Sequence, residues 1–144
     1  MAKIEDASFI AKFQLDMAAE SEGATLDYSV VLEGVKLGIK DENKGIYLLA
    51  KDSTNTIVGS LMITREWSDW NCAWYWWIQS VYVLPSHRRK GVYRLMYCKV
   101  KEWAEEQGIS VIRLYVDKTN QVAQHTYKSV GMRESRYILF EEEL

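Results

Sequence analysis

The spacing of apolar positions divides the chain into stretches of period near 3.6 and stretches of period 2. Phe9, Ile10, Phe13, Met17 and Ala18 lie close to the i, i+3, i+4, i+7 template, which predicts an amphipathic helix over residues 7–19. Residues 21–25 break it. Val31, Val35 and Leu37 fall near one side of residues 28–39, a second helix with Asp27 as its N-cap. After a turn at 41–45 the pattern changes. Residues 46–50 and 56–64 are short apolar strands around a polar turn and predict a hairpin, and residues 65–71 form a loop rich in charge and tryptophan. Residues 73–83 are a long β-branched and aromatic run. Alternation sets Tyr75, Trp77, Gln79, Val81 and Val83 on one face and Trp74, Trp76, Ile78, Ser80 and Tyr82 on the other. Both faces are largely apolar, as expected for a central strand covered on both sides.

That strand ends at Pro85, and a basic loop, His87-Arg88-Arg89-Lys90, leads to Gly91. Val92, Leu95, Met96, Val100 and Trp103 then make one helical stripe over residues 91–107, with Gly108 placed to end it. Residues 111–116 form the next strand. Strand, helix, strand in that order predicts a right-handed crossover with parallel strands, which puts the basic loop where open α/β sheets bind ligands. The first turn of a helix leaves backbone N–H groups unpaired at the positive end of its dipole, so the junction over residues 81–94 reads as an anion site. Further on, Asn120 is an N-cap candidate, and Ala123, Tyr127 and Val130 share one face of a short helix closed by Gly131. A last strand is expected over residues 132–140, then a solvated acidic end.

Composition narrows the class. A chain of 144 residues, 48% hydrophobic and 26% charged, suits one domain that buries roughly 70% of its unfolded surface. A net charge of −2 argues against nucleic acid as a partner, and a local basic cluster suits a local anion. No apolar run approaches the roughly 18 residues of a membrane span, and the N-terminus lacks a signal-peptide core, so a cytoplasmic protein with no membrane partner is expected. Cys72 and Cys98 match no metal spacing and read as free thiols, with Cys98 buried or half-buried in its helix.

Two groups of residues resemble motifs of the GCN5-related N-acetyltransferase (GNAT) superfamily. The pattern Arg or Gln, two residues, Gly, one residue, then Gly or Ala is matched at Arg88 and Gly91, with Tyr93 standing where a small residue is usual. A second pattern is met by Asn120, Ala123, Tyr127, Gly131 and Met132. The likeness covers roughly residues 46–140. It implies an α/β fold with a mixed, mostly antiparallel sheet, a central splayed parallel strand pair and helices on both faces, in one domain over residues 1–144. It implies acetyl-CoA as co-substrate, with the pantetheine arm along Val81, Tyr82 and Val83. The pyrophosphate would then lie on the amides of Arg88, Arg89, Lys90, Gly91, Val92, Tyr93 and Arg94. On the same likeness Tyr127 protonates the departing CoA thiolate and Asn120 contacts the cofactor, although an N-cap role explains Asn120 equally well.

The chemistry so implied is transfer of acetyl to a primary amine, on a small molecule or a peptide, through a ternary complex and without a metal. A lysine-like amine of pKa about 10.4 is neutral only once in a few thousand molecules at pH 7, an obstacle of about 4 to 5 kcal/mol that a base can lower. Many relatives place Glu where this chain has Gln79. Glu22, Glu66 and Asp69 are the candidates for a base, against the alternatives that they are surface charges or that Gln79 holds a water. Trp70, Tyr75 and Trp77 are candidates for the acceptor pocket. A non-catalytic acyl-CoA-binding or sensor module on the same fold is the alternative function, and a homodimer is a family expectation.

Overall fold

The computed structural model describes residues 1–144. Two helices come first, α1 (Ala7–Glu22) and α2 (Tyr28–Lys40). Asp27 caps α2, its carboxylate accepting from the N–H groups of Ser29 and Val30 at 2.7 and 3.2 Å. Strands β1 (Ile46–Lys51), β2 (Ile57–Ser68) and β3 (Ala73–Val83) run antiparallel to their neighbours. Helix α3 (Val92–Glu106) crosses over, and β4 (Val111–Arg113) returns parallel to β3, giving the order β1-β2-β3-β4. Helix α4 (Gln121–Ser129) follows.

Helices cover both faces of the sheet. Ala7, Ile10 and Val35 pack with Tyr47 and Met62 on one side, while Met96, Val100 and Ala104 of α3 pack on Leu61, Ile63, Trp76 and Ile78 on the other. Each large apolar side chain so buried contributes about 1.5–3 kcal/mol. Most of the predicted stripe residues face these cores, but Phe9, Leu37 and Leu95 stand at the stripe edges and are exposed.

Four expectations change. Strand β2 runs on through Glu66 and Trp67, which were expected in a loop, because cross-strand pairs with Tyr75 and Trp74 continue the ladder; the Trp67 and Trp74 rings meet edge-on at 5.1 Å. Strand β4 is three residues long and stops at Arg113. Residues 132–140 form no strand, because no backbone hydrogen bond links them to the sheet. Cys98 is exposed, on the solvent side of α3.

The alternation along β3 also fails at one place. Pairing steps from Met62↔Gln79 to Ser60↔Tyr82, so β3 spends three residues where β2 spends two, and Ser80 takes the left-handed conformation at φ 53°. This bulge reverses the faces. Tyr82 joins the side of Gln79 and packs on Phe13 of α1 with ring centroids 5.1 Å apart, while Val81 and Val83 turn toward the α3 core. Gly59 admits the close approach opposite: a Cβ there would stand 3.0 Å from the Tyr82 carbonyl oxygen.

Candidate active site

Strands β3 and β4 touch only from Tyr75–Val111 to Trp77–Arg113. Past the bulge β3 has no strand on that side, and Leu114 and Tyr115 continue beyond β4 without pairing. The result is a wedge between parallel strands at their carboxyl ends, edged by backbone groups with no partner in the chain.

The loop that follows is built to leave amides open. Arg88 N–H donates to Pro85 O at 3.3 Å and Leu95 N–H to Gly91 O at 3.0 Å, but the N–H groups of residues 89–94 between them bond to nothing in the chain. Arg89 (φ 58°) and Gly91 (φ 80°) are both left-handed, which bends the loop so that it enters α3 from the side. Six free donors at the positive end of a 15-residue helix favour an anion.

Arg88 itself is engaged elsewhere. Its Nε donates to Val83 O at 2.8 Å, its guanidinium lies 2.6 Å from the Glu20 carboxylate and 5.4 Å from the centre of the Tyr82 ring, and the Tyr82 hydroxyl donates to Glu20 at 3.0 Å. The motif arginine therefore pins the end of β3 to the end of α1. Burial, then the Glu20 hydrogen bond, pushes the Tyr82 phenol up to about 12. Arg94 is tied to Ser129 O at 3.2 Å, so Arg89 and Lys90 are the cations of the loop left without a partner. Glu20 has no motif to announce it; its role appears only when α1 is laid beside β3.

On the open face of the sheet, Gln79 Nε2 donates to Thr64 Oγ1 at 2.6 Å, which leaves Oε1 as an acceptor beside the bulge. Glu66 is occupied. Both its oxygens accept from Arg113, at 3.0 and 3.1 Å, and Oε2 also accepts from Trp77 Nε1. Arg113 in turn lies 4.6 Å over the Tyr75 ring. Neither oxygen of this carboxylate is left without a partner. Glu22 and Asp69 are exposed, at the end of α1 and in the β2–β3 turn. Tyr75 is buried with its hydroxyl on the Asn71 amide, whereas Trp70 projects from the hairpin tip, 88% exposed. The structure brings together Trp77, Tyr115 and Arg113, the first two with ring centroids 6.3 Å apart, and leaves Trp70 apart from them.

Helix α4 carries the remaining motif. Asn120 Oδ1 accepts from Ala123 N–H at 3.0 Å, so the N-cap role is filled. Tyr127 meets Tyr93 edge to face, 5.5 Å between centroids, and burial raises its phenol pKa. The Tyr93 ring packs inward against the α3 core and stacks on Tyr97, so it leaves its own amide open to the loop. Its hydroxyl is buried without a partner, and burial, then Tyr127 and Tyr97, raises its pKa strongly. His125 is exposed. A cavity of about 270 Å³ lies between β1 and α3 and meets the loop only at His87 and Val92; the wedge is an open groove instead. No group of three or more His, Cys, Asp or Glu is arranged to hold a metal ion, and no helix is long and apolar enough to cross a membrane.

The fold is shared with known proteins. The crystal structure of a possible acetyltransferase from Clostridium difficile 630 matches 99% of this chain and 94% of that one, with a TM-score of 0.92 and 40% sequence identity. A predicted acetyltransferase from Clostridium acetobutylicum, solved with acetyl-CoA, has the same fold at a TM-score of 0.79 and 18% identity, covering 98% of this chain and 92% of that one. An aminoglycoside N(6')-acetyltransferase type 1 of Salmonella typhimurium is 24% identical over 63 residues, 44% of this chain and 43% of the relative, so the likeness spans less than half of that enzyme. The model of the acetyltransferase (GNAT) family matches residues 8–132, from α1 through the close of α4, and the chain belongs to that family.

Proposed function

We infer that the protein moves the acetyl group of acetyl-CoA directly onto a primary amine, with both substrates bound at once. The observation that carries this reading is the end of β3–β4 pairing at Trp77, which leaves the β4 side of Val81–Val83 unpaired, past the bulge at Ser80 and just ahead of the six free amides of residues 89–94. An extended, amide-bearing arm such as pantetheine suits the first as an added strand, and a pyrophosphate suits the second. Arg89 and Lys90 add positive charge. Family membership supports acetyl-CoA as the donor.

In this mechanism the amine nitrogen attacks the thioester carbonyl; the C–N bond forms, the C–S bond breaks, and the amine proton leaves. Gln79 Oε1, steadied by Thr64, accepts a hydrogen bond from the attacking amine or from the water that takes its proton. With Glu66 closed off by Arg113, no side chain acts as base. Tyr127 donates a hydrogen bond to the departing thiolate. Full proton transfer from a phenol raised above its usual value to a thiolate of pKa near 8.5 runs uphill by more than about 2 kcal/mol, so the phenol stabilises the thiolate and bulk solvent completes the protonation. Trp77 and Tyr115 flank the acceptor side and favour a cationic amine through ring contacts. Amino sugars are the first acceptor class to try, given the aminoglycoside-acetylating relative.

The test is thiol release from acetyl-CoA across amino sugars, polyamines, amino acids and peptide N-termini, with the acetylated product identified by mass. One class is expected to turn over, with a rate that rises about tenfold per pH unit toward the amine pKa because only the neutral fraction reacts. Tight CoA binding with no turnover on any amine would instead favour the non-catalytic acyl-CoA-binding module, a reading suggested by Gln79 at a position where a base is common.

A further inference from the structure

Helix α4 carries the phenol assigned to the departing thiolate, yet it has little of its own to hold that phenol in place. It is nine residues long, and none of them is buried. An isolated helix that short is marginal in water, so its position depends on what it touches. Its side-chain hydrogen bonds are mostly local. Gln121 and Gln124 donate to Lys118 O, Thr126 to Val122 O and Ser129 to Thr126 O. One bond reaches farther, from Arg94 to Ser129 O at 3.2 Å.

Tyr93 makes the other tie. Its ring meets the Tyr127 ring with 5.5 Å between centroids and 65° between planes, the edge-to-face arrangement that aromatic pairs favour. From behind, the ring is braced by Tyr97 one helical turn later, stacked at 6.1 Å, and by the core cluster that holds Trp76, Met96 and Val100. Its hydroxyl makes no bond, so packing alone holds the ring. Position 93 is where the resembling motif has a small residue, and a side chain ending at Cβ would leave Tyr127 without this neighbour. The same residue offers its N–H to the loop as one of the six open donors. One residue thus links the loop that suits a pyrophosphate to the helix that bears Tyr127.

We propose that Tyr93 is a positioning residue for acetyl transfer: its ring fixes α4, and with it the Tyr127 hydroxyl, where the departing thiolate needs it. This rests on the transfer reaction inferred above. Displacing a reacting group by about 1 Å can cost on the order of 100-fold in rate. The hold is therefore read in turnover rather than in the binding of acetyl-CoA, for which the loop offers backbone N–H groups.

The experiment compares the wild type, Tyr93→Leu, Tyr93→Phe, Tyr127→Phe and the Tyr93→Leu/Tyr127→Phe double variant, with the amine that turns over in the acceptor panel. Tyr93→Leu removes the ring but keeps an apolar side chain in the core, so the far-UV circular dichroism should match the wild type. It should lower kcat about tenfold and leave acetyl-CoA affinity, measured by calorimetry, within about threefold, while Tyr93→Phe, which keeps the ring, recovers most of that loss. In the Tyr127→Phe background Tyr93→Leu should cost less than about twofold, because no hydroxyl is left to position. Hydrogen exchange gives a readout that needs no turnover: the amides of residues 124–129 should exchange about tenfold faster in Tyr93→Leu than in the wild type or Tyr93→Phe. Turnover with equal losses of kcat in the two backgrounds, or unchanged exchange in α4, overturns the positioning role alone. A wild type that turns over no amine overturns the transfer reaction, and the positioning role with it.

Discussion

From Tyr75 to Trp77, β3 has a strand on each side, and the charges beside it are matched: Glu66 is held by Arg113 and Trp77, and Arg113 rests on Tyr75. From Gln79 to Val83, a span that contains the left-handed Ser80, the same strand has lost its β4 neighbour and leads into six unpaired amides. The first half is wholly aromatic and the second mixes Gln79 and Ser80 with Val81, Tyr82 and Val83, yet side-chain type is not what sets them apart. Their difference lies in whether polar groups find partners within the chain, and the half that withholds partners is the half that can receive a ligand. Unpaired backbone groups are costly in a buried place and tolerable in an open groove, so the wedge has to face solvent.

Deleting Ser80 would break this contrast most severely. Without the extra residue β3 takes two steps between the Met62↔Gln79 and Ser60↔Tyr82 pairs, as β2 does, so Tyr82 keeps its place on Phe13 and Glu20 while the backbone bend and left-handed turn beside the wedge are lost. Acetyl transfer should fall by more than about 100-fold, while the denaturant midpoint moves far less, because the core side chains keep their faces. A deletion variant that retains activity would show that the bulge does not create the site. Next comes Tyr127→Phe, which removes one hydroxyl from the open half. Turnover should drop on the order of 100-fold while acetyl-CoA affinity, measured by calorimetry, stays unchanged. Because burial raises the phenol pKa, the protonated donor persists to pH values above its usual range near 10, so wild-type activity should show no alkaline loss from Tyr127 below that point. The smallest effect belongs to the closed half. Arg113→Ala leaves Glu66 with Trp77 alone, but both partners of the pair are about a third exposed, so stability should fall by about 1 kcal/mol or less in thermal unfolding. Turnover should change by less than about tenfold, which corresponds to 1.4 kcal/mol. A larger loss would bring the closed half into the reaction and blur the distinction.

Much of the site was legible in the chain because its components are local. The loop amides of residues 89–94 follow from a strand, a glycine and a helix start in succession, and the caps at Asp27 and Asn120 each act within three residues. Tyr127 was marked by its place in a pattern that resembles the family's second motif. The occupation of Glu66 was not legible, since Arg113 lies 47 residues away, nor was the pin between Arg88 and Glu20, which spans 68 residues. No periodicity carries such pairings. Ser80 misled alternation for a related reason: a serine in a β-prone run gives no sign that the opposing strand will be one residue short.

By itself the sequence determined the helices, the bounds of β3, the crossover and the run of open amides ahead of α3, because each depends on neighbours a few residues apart through period, capping and turn chemistry. The tertiary structure alone decided which polar groups are matched and which stay open. Matching depends on register between strands distant in sequence, and a single bulge changes it for every residue that follows. The tail beyond α4 shows the same limit: its strand-like composition is written in the chain, but no backbone hydrogen bond links it to the sheet.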